Sequence, residues 1–393
     1  MPAHPMRGVG PRIAAARRAR HMTQEDLALA ARVSYGTVKA IEREARMPSD
    51  DVLDALAAAL GRDPAHLATG GTRAIARITD AMPRLSAAIA AYDLPADGPV
   101  RPLSELHAAV AEAVNWRLGA QYVRLAQAMP PLLEELARAL EISRDCERTE
   151  VAGLLAAAYR AADAVAYKHG ASDLSARLVD LMRWATDQAE NPLLTAAAAY
   201  VRTETFFAAR AHGPGLRALE IALDRAPQVT DTATAAARGA LHMRAAVVAG
   251  RVGDSGAAGV HIAEARRLAE RVPEGVYEGT ACGPDSVRIH EVSVAVALGQ
   301  EHVQRALDVA HEWAPPRSLP SERRSGFYIE LARAQLWAGR RGDAFESLRV
   351  ARRAAPQHTR EHPWAREDIE TLRRLDRGNG DALTHFAEWI GAT

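Results

Sequence analysis

Two helix-start signals eleven residues apart constrain this chain more tightly than anything else in it: Thr23 followed by Asp26, and Ser34. A side-chain oxygen at the residue before a helix accepts a backbone N–H of the first turn, and an acidic residue in that turn faces the positive end of the helix dipole. Between the two caps there is room for one short helix, Gln24 to about Ala31, and Arg32 and Val33 are the whole connection to a third helix reaching about Glu44. Short helices joined this tightly cross at a steep angle. Leu27, Ala28, Ala31, Val33, Val38 and Ile41 then fall on the inner faces, which leaves the outer face of the third helix free. A preceding helix carries Ile13 and Ala16 beside the run Arg17, Arg18, Arg20, and His21-Met22 breaks its periodicity.

The segment Met22-Thr23-Gln24-Glu25-Asp26-Leu27-Ala28, then Val33-Ser34, Thr37-Val38, Ile41-Glu42-Arg43 and Pro48, resembles the Cro/XRE repressor family over about sixty residues. The resemblance implies a five-helix, phage-repressor-type helix-turn-helix domain over residues 8 to about 68. It further implies that Gln24 donates to a DNA phosphate, that Ser34, Tyr35, Gly36, Thr37 and Lys39 face base edges in a major groove, and that Arg43 with Arg18 or Arg20 meets phosphate. Arg17 and Glu42 match a pair that in similar repressors forms a buried salt bridge, a structural role. One departure stands out: the family usually has glycine after the third helix, suited to a left-handed cap, and this chain has Glu44, so a slightly longer helix is expected.

The formal net charge of zero hides a local excess: residues 1 to 49 carry nine cations, from Arg7 to Arg46, against Glu25, Asp26, Glu42 and Glu44. That is a modest footprint for DNA phosphates. Of the basic residues only Lys39 and Lys168 are lysine, which with the abundant alanine suggests a high-GC bacterial genome. With 48% hydrophobic and 25% charged residues the composition is that of a soluble globular protein. No apolar run approaches the roughly 20 residues of a membrane span and no signal pattern opens the chain, so a cytoplasmic location without membrane contact is expected. Cys146 and Cys282 form no CxxC or Cys/His cluster; both are expected to be core thiols, with no metal site and no cofactor.

After Leu67 the stretch 68 to 72 reads as a hinge, followed by a helix from about Arg73 to Tyr92 and a Pro/Gly loop from Asp93 to Pro102. From Leu103 onward everything reads as helix, with no period-2 alternation. Pro192, Pro227, Pro273, Pro315 and Pro356 end successive units of two helices, at spacings of 35, 46, 42 and 41 residues. The unit from Leu331 through Gly339 and Asp343-Ala344 to Pro356 resembles a tetratricopeptide repeat, and the segments from Ala240 to Pro273 and from Ala198 to Pro227 share its shape. The expected architecture is all-α: a helix-turn-helix domain (1–70), a hinge and linker helix (71–102), and an α-solenoid of helical hairpins (103–393) whose concave face suits a peptide or small ligand. The six tryptophans are expected to be core anchors.

Cys282-Gly283-Pro284-Asp285-Ser286-Val287, ending near His290, resembles a motif of actinobacterial repressor-plus-repeat regulators, where phenylalanine and Thr-Asn are commoner than Cys282 and Asp285-Ser286. Gly-Pro followed by Asp/Ser is first a helix start, and Asp285 and His290 are candidate ligand contacts. No nucleophile elbow, phosphate-binding glycine loop or zinc-protease motif occurs, so no catalytic residue and no enzyme activity is expected. The sequence therefore reads as a homodimeric, sequence-specific transcription regulator that binds double-stranded DNA and a small-molecule or peptide signal. The competing reading is an interaction scaffold whose repeats bind a protein partner.

Overall fold

The computed structural model describes residues 9–46, 48, 50–62, 67, 72–375 and 380–392. The chain divides into two compact units, Met1–Ala81 and Met82–Thr393, with the division inside the helix Thr72–Ala90.

In the first unit α1 (Val9–Ala19), α2 (Gln24–Ala31), α3 (Tyr35–Glu42) and α4 (Asp50–Leu60) surround a small core. Ile13, Leu27, Val38 and Leu56 are completely buried, and Val33 packs against them from the α2–α3 turn. The expected fifth helix and the hinge at 68–72 lie outside the described residues, apart from Leu67, which is buried, and Thr72. Thr23 forms a reciprocal cap, its hydroxyl accepting from Asp26 N at 3.1 Å and its own N–H donating to Asp26 Oδ2 at 2.8 Å. Gly10 sets the approach of α1 to α3: a β-carbon there would lie 2.2 Å from the Ile41 carbonyl oxygen, so no other residue fits.

The end of α3 corrects the expectation of a longer helix. It stops at Glu42, and Glu44 itself takes the left-handed conformation (φ 58°) that glycine usually supplies. Glu44 N then bonds to Ile41 O and Ala45 N to Ala40 O, both at 2.9 Å, closing the helix end without glycine.

The second unit is built from consecutive helices joined by short turns. After α5 (Thr72–Ala90) come α6 (Leu103–Leu118) and α7 (Tyr122–Ile142), then pairs: α8 (Asp145–Lys168) with α9 (Ser172–Ala189), α10 (Pro192–Ala208) with α11 (His212–Arg225), and α12 (Thr232–Val252) with α13 (Ser255–Ala269). The series continues with α14 (Pro284–Leu298) and α15 (Val303–Glu312), α16 (Ser321–Trp337) and α17 (Arg341–Ala354), the short α18 (Pro356–Glu361), and α19 (Pro363–Leu375) with α20 (Gly380–Ile390). Each of the five prolines noted in the sequence falls between pairs; Pro192 and Pro356 open helices, where the missing N–H costs nothing. Alanine and glycine let the pairs pack closely, as at Gly250, whose added β-carbon would touch Ala297 Cβ at 2.9 Å. The array curves until its early helices meet its late ones: Tyr122 and Lys168 both reach Glu322, at 3.4 and 3.3 Å, and Val123 N donates to Gln357.

Two expectations are corrected in this unit. Between α13 and α14 lies a β-hairpin, Gly275–Tyr277 (β1) antiparallel to Thr280–Cys282 (β2), its register pairing Tyr277 with Thr280. Strands of three residues are too short to leave an alternating signature. Cys282 is buried as expected, but Cys146, in the first turn of α8, is exposed. No described helix is long and apolar enough to cross a membrane.

Candidate nucleic-acid interface

The two faces of α3 differ sharply. Val38 and Ile41 are 0% and 1% exposed and pin the helix to the core, whereas Tyr35 is 43% exposed and Ser34, Gly36 and Arg43 lie in solvent. Tyr35 and Lys39, one turn apart, stand together, the Lys39 ammonium 5.7 Å from the Tyr35 ring centroid. Ser34 Oγ accepts from Thr37 N at 3.1 Å and lies 2.8 Å from Thr37 Oγ1, so these two hydroxyls order the start of the helix. Gly36 has no internal reason to be glycine: an added β-carbon would meet nothing nearer than Ser34 Oγ at 3.9 Å.

Arg17 Nε and Nη2 bond Glu42 Oε1 and Oε2 at 2.7 and 2.9 Å, with side-chain exposures of 12% and 5%. Burial by itself would raise the Glu42 carboxyl; hydrogen bonds from Arg17 and Gln24, with the charges of Arg17 and Arg18, outweigh it and hold the group below the usual carboxylate range. The pair ties the end of α1 to the end of α3. Gln24 departs from its expected role: its amide donates to Glu42 Oε2 at 2.7 Å, which leaves one amide hydrogen to reach outward. Arg20 is likewise anchored, donating to the Ala59 carbonyl at 3.0 Å, whereas Arg18 is exposed. Arg32 and Arg46, exposed in the turns on either side of α3, add cations that sequence reasoning did not assign.

A capped, outward-facing helix joined to its predecessor by a short turn and rimmed by arginines defines a helix-turn-helix domain, the class of fold that lays one helix in the DNA major groove. Residues 13–67 match the helix-turn-helix family HTH_3. This segment is a Cro/XRE-type helix-turn-helix domain, and the chain carrying it is a DNA-binding regulator. No curated protein matches the chain. Among solved structures it is similar to PlcR of Bacillus thuringiensis, crystallised in complex with the peptide PapR7 and DNA, at 13% identity and a TM-score of 0.29, covering 67% of this chain and 95% of that one.

The second unit separates the two ligand candidates. Asp285 accepts from Trp313 Nε1 at 3.1 Å, a contact that pins α14 to the loop after α15. His290 is buried, with Nδ1 2.8 Å from the Ser286 carbonyl oxygen. Burial, the charge of Arg323 and, more weakly, Arg244 drop it to about 3. The motif around them is the foot of the β-hairpin. Glu274 accepts from Ser286 N at 3.0 Å and Ser286 Oγ at 2.6 Å, and a β-carbon on Gly283 (φ 148°) would lie 2.5 Å from Glu274 Cα. At the other end of the hairpin, buried Arg117 of α6 and Arg160 of α8 donate to the carbonyls of Gly279 and Glu278 at 2.5 and 2.7 Å. Sequence reasoning missed both arginines, because nothing local marks a charge that becomes buried only when distant helices meet.

Proposed function

We propose that this protein is a one-component, sequence-specific transcription regulator. In this reading α3 enters the major groove of double-stranded DNA, Tyr35, Gly36, Thr37 and Lys39 face base edges, and Arg43, Arg18 and the free hydrogen of Gln24 meet phosphates. The observation that carries it is the two-sided character of α3: two residues sealed in the core, and an opposite face with Tyr35 and Lys39 grouped beside a glycine that the fold does not need. The helical unit binds a small-molecule or peptide signal and sets the geometry of a homodimer in the cytoplasm. A ligand that changes the spacing of two DNA-binding heads by several ångströms breaks their match to half-sites about 34 to 36 Å apart. The protein acts by binding, without catalysis.

The test is a gel shift with the DNA upstream of the protein's own gene, comparing wild type with Lys39→Ala and Arg43→Ala. Lys39→Ala is expected to relax sequence preference, and Arg43→Ala to weaken all sequences alike and lower the salt dependence. Undiminished binding by the double variant sinks the reading. Light scattering that gives a monomer at micromolar concentration sinks the dimer.

A further inference from the structure

The tip of the β-hairpin rests on two buried guanidiniums. Arg117 and Arg160 are each 7% exposed, and neither has a carboxylate within ion-pair distance among the described residues. Their guanidiniums donate to the neutral carbonyls of Gly279 and Glu278, and Arg160 also stands over the Tyr200 ring at 5.9 Å from its centroid. Buried charges are ordinarily matched by an opposite charge, and a guanidinium bonds a carboxylate about twice as strongly as a neutral oxygen. Glu322 and Glu204 act on Arg117, and Glu204 and Asp163 on Arg160, only beyond ion-pair distance, and further arginines crowd the same place. Arg323 donates to Tyr200 Oη at 2.9 Å and the Arg244 guanidinium lies 4.0 Å from the same ring's centroid, while Glu204 approaches Arg244 only to 3.9 Å. Burial and the charge of Arg117 together bring Arg160 down to about 9.

Beside this cluster, with Tyr200 and Glu278 between it and the guanidiniums, lies a cavity of about 220 Å³, walled by small apolar side chains of α10 and α12 such as Ala197 and Ala236 and bordered by the hairpin through Val276 and Thr280. Tyr200 and Glu278 line the cavity and also contact the arginines. Two polar groups here are buried without a hydrogen-bond partner: Thr280 Oγ1, on the cavity wall, and Arg117 Nε. The volume is below the roughly 300–1,000 Å³ of sites for drug-sized ligands, which selects a small molecule over a peptide.

The hairpin is weakly self-supporting. Its strands have three residues each, and Glu278 sits at φ 44° and Gly279 at φ 71°, a turn that strains the non-glycine residue. Isolated two-stranded hairpins are marginal in water, so its tip is held by the two arginines and its foot by Glu274 and Ser286.

We infer that this cavity is a binding site for a small amphipathic carboxylate: the apolar chain fills the alanine-walled space, and the carboxylate replaces the Glu278 and Gly279 carbonyls on Arg160 and Arg117, releasing the hairpin tip. The inference deepens the sensor reading above and rests on it for its regulatory meaning.

The probes are octanoate and the neutral octanamide, titrated into the full chain by calorimetry without DNA. Octanoate is expected to bind at least about tenfold tighter than octanamide, and Arg117→Gln or Arg160→Gln to weaken octanoate on the order of 10- to 100-fold, the cost of one charge-assisted hydrogen bond. Gly279→Ala works in the opposite sense. Its β-carbon would lie 3.1 and 3.2 Å from the two guanidiniums at a positive φ, so it loosens the tip and is expected to tighten octanoate. Release of the tip is read by hydrogen exchange of the backbone amides from Tyr277 to Thr280, which octanoate should accelerate while the Ser286 amide, bonded to Glu274 at the foot, exchanges at an unchanged rate. Equal affinity for acid and amide, no octanoate binding at millimolar concentration, or exchange of the tip amides unmoved at saturation overturns the inference. A separate gel shift with and without octanoate keeps the two claims apart. Octanoate that binds and leaves DNA affinity unchanged supports the site and removes the sensor reading, whereas failure of octanoate to bind removes the site alone.

Discussion

Arg17 and Glu42, twenty-five residues apart in sequence, form a two-pronged ion pair with almost no solvent access, and Gln24 adds a third hydrogen bond to the same carboxylate. One contact thus joins the end of α1, the start of α2 and the end of α3, the three points that fix the angle of the exposed helix.

Removing one partner leaves a buried charge alone, so Glu42→Ala should cost about 3 kcal/mol in urea unfolding of the first unit, and Arg17→Met with Glu42→Leu should recover most of that. Because the Glu42 carboxyl titrates below its ordinary value in the folded state, its contribution is present above the unfolded value and is lost as pH falls through the folded one. The wild type should therefore lose stability faster than the double variant below about pH 4.5.

Glu44 holds a left-handed conformation that strains any residue with a β-carbon. Glu44→Gly relieves about 1–2 kcal/mol of that strain and adds unfolded-chain entropy, so a net gain of roughly 0.5 kcal/mol is expected. A lower urea midpoint for the variant would contradict the cap geometry.

Gly36 lies in the first turn of α3 with open space where a β-carbon would go. Gly36→Ala should stabilise the fold by roughly 0.5–1 kcal/mol through helix propensity, and yet weaken DNA binding if the backbone there approaches a base or sugar closely. Thermal unfolding and a gel shift on the same preparation check both halves; a stabler variant that binds DNA equally well denies the close approach.

Glu330, on α16, is pushed up to about 7 by burial, against the hydrogen bond from Ser293 and the charges of Arg251, Arg323 and Arg244. A carboxyl with a raised folded value favours the folded state at low pH, and that advantage disappears as pH climbs from about 4.5 to about 7. Glu330→Gln, which cannot titrate, should gain on the wild type by on the order of 1–3 kcal/mol across that window. Parallel unfolding midpoints at pH 5 and pH 8 would deny the shift.

The first unit was nearly all legible in the sequence because its information is local. Caps at Thr23 and Ser34 act within one turn of their own helices, and the apolar spacing from Leu27 to Ile41 dictates which faces meet. What misled was equally local: glycine is the usual left-handed residue, so Glu44 read as a longer helix, although Glu44 takes that conformation itself and the bonds from Glu44 N and Ala45 N close the helix end. The second role of Gln24, its bond to Glu42, was not legible because that partner lies eighteen residues away.

In the second unit the proline spacing announced helix pairs, and small residues announced that they pack closely. The sequence by itself determined that this chain is helical and which face of α3 is turned outward, since periodicity, caps and chain-stiffening prolines act over a few residues. Only the tertiary structure decided that Arg117 and Arg160 are buried side by side on the tip of a hairpin more than a hundred residues away. Burial of a charge is a property of the closed array, and no segment carries it until the early helices meet the late ones.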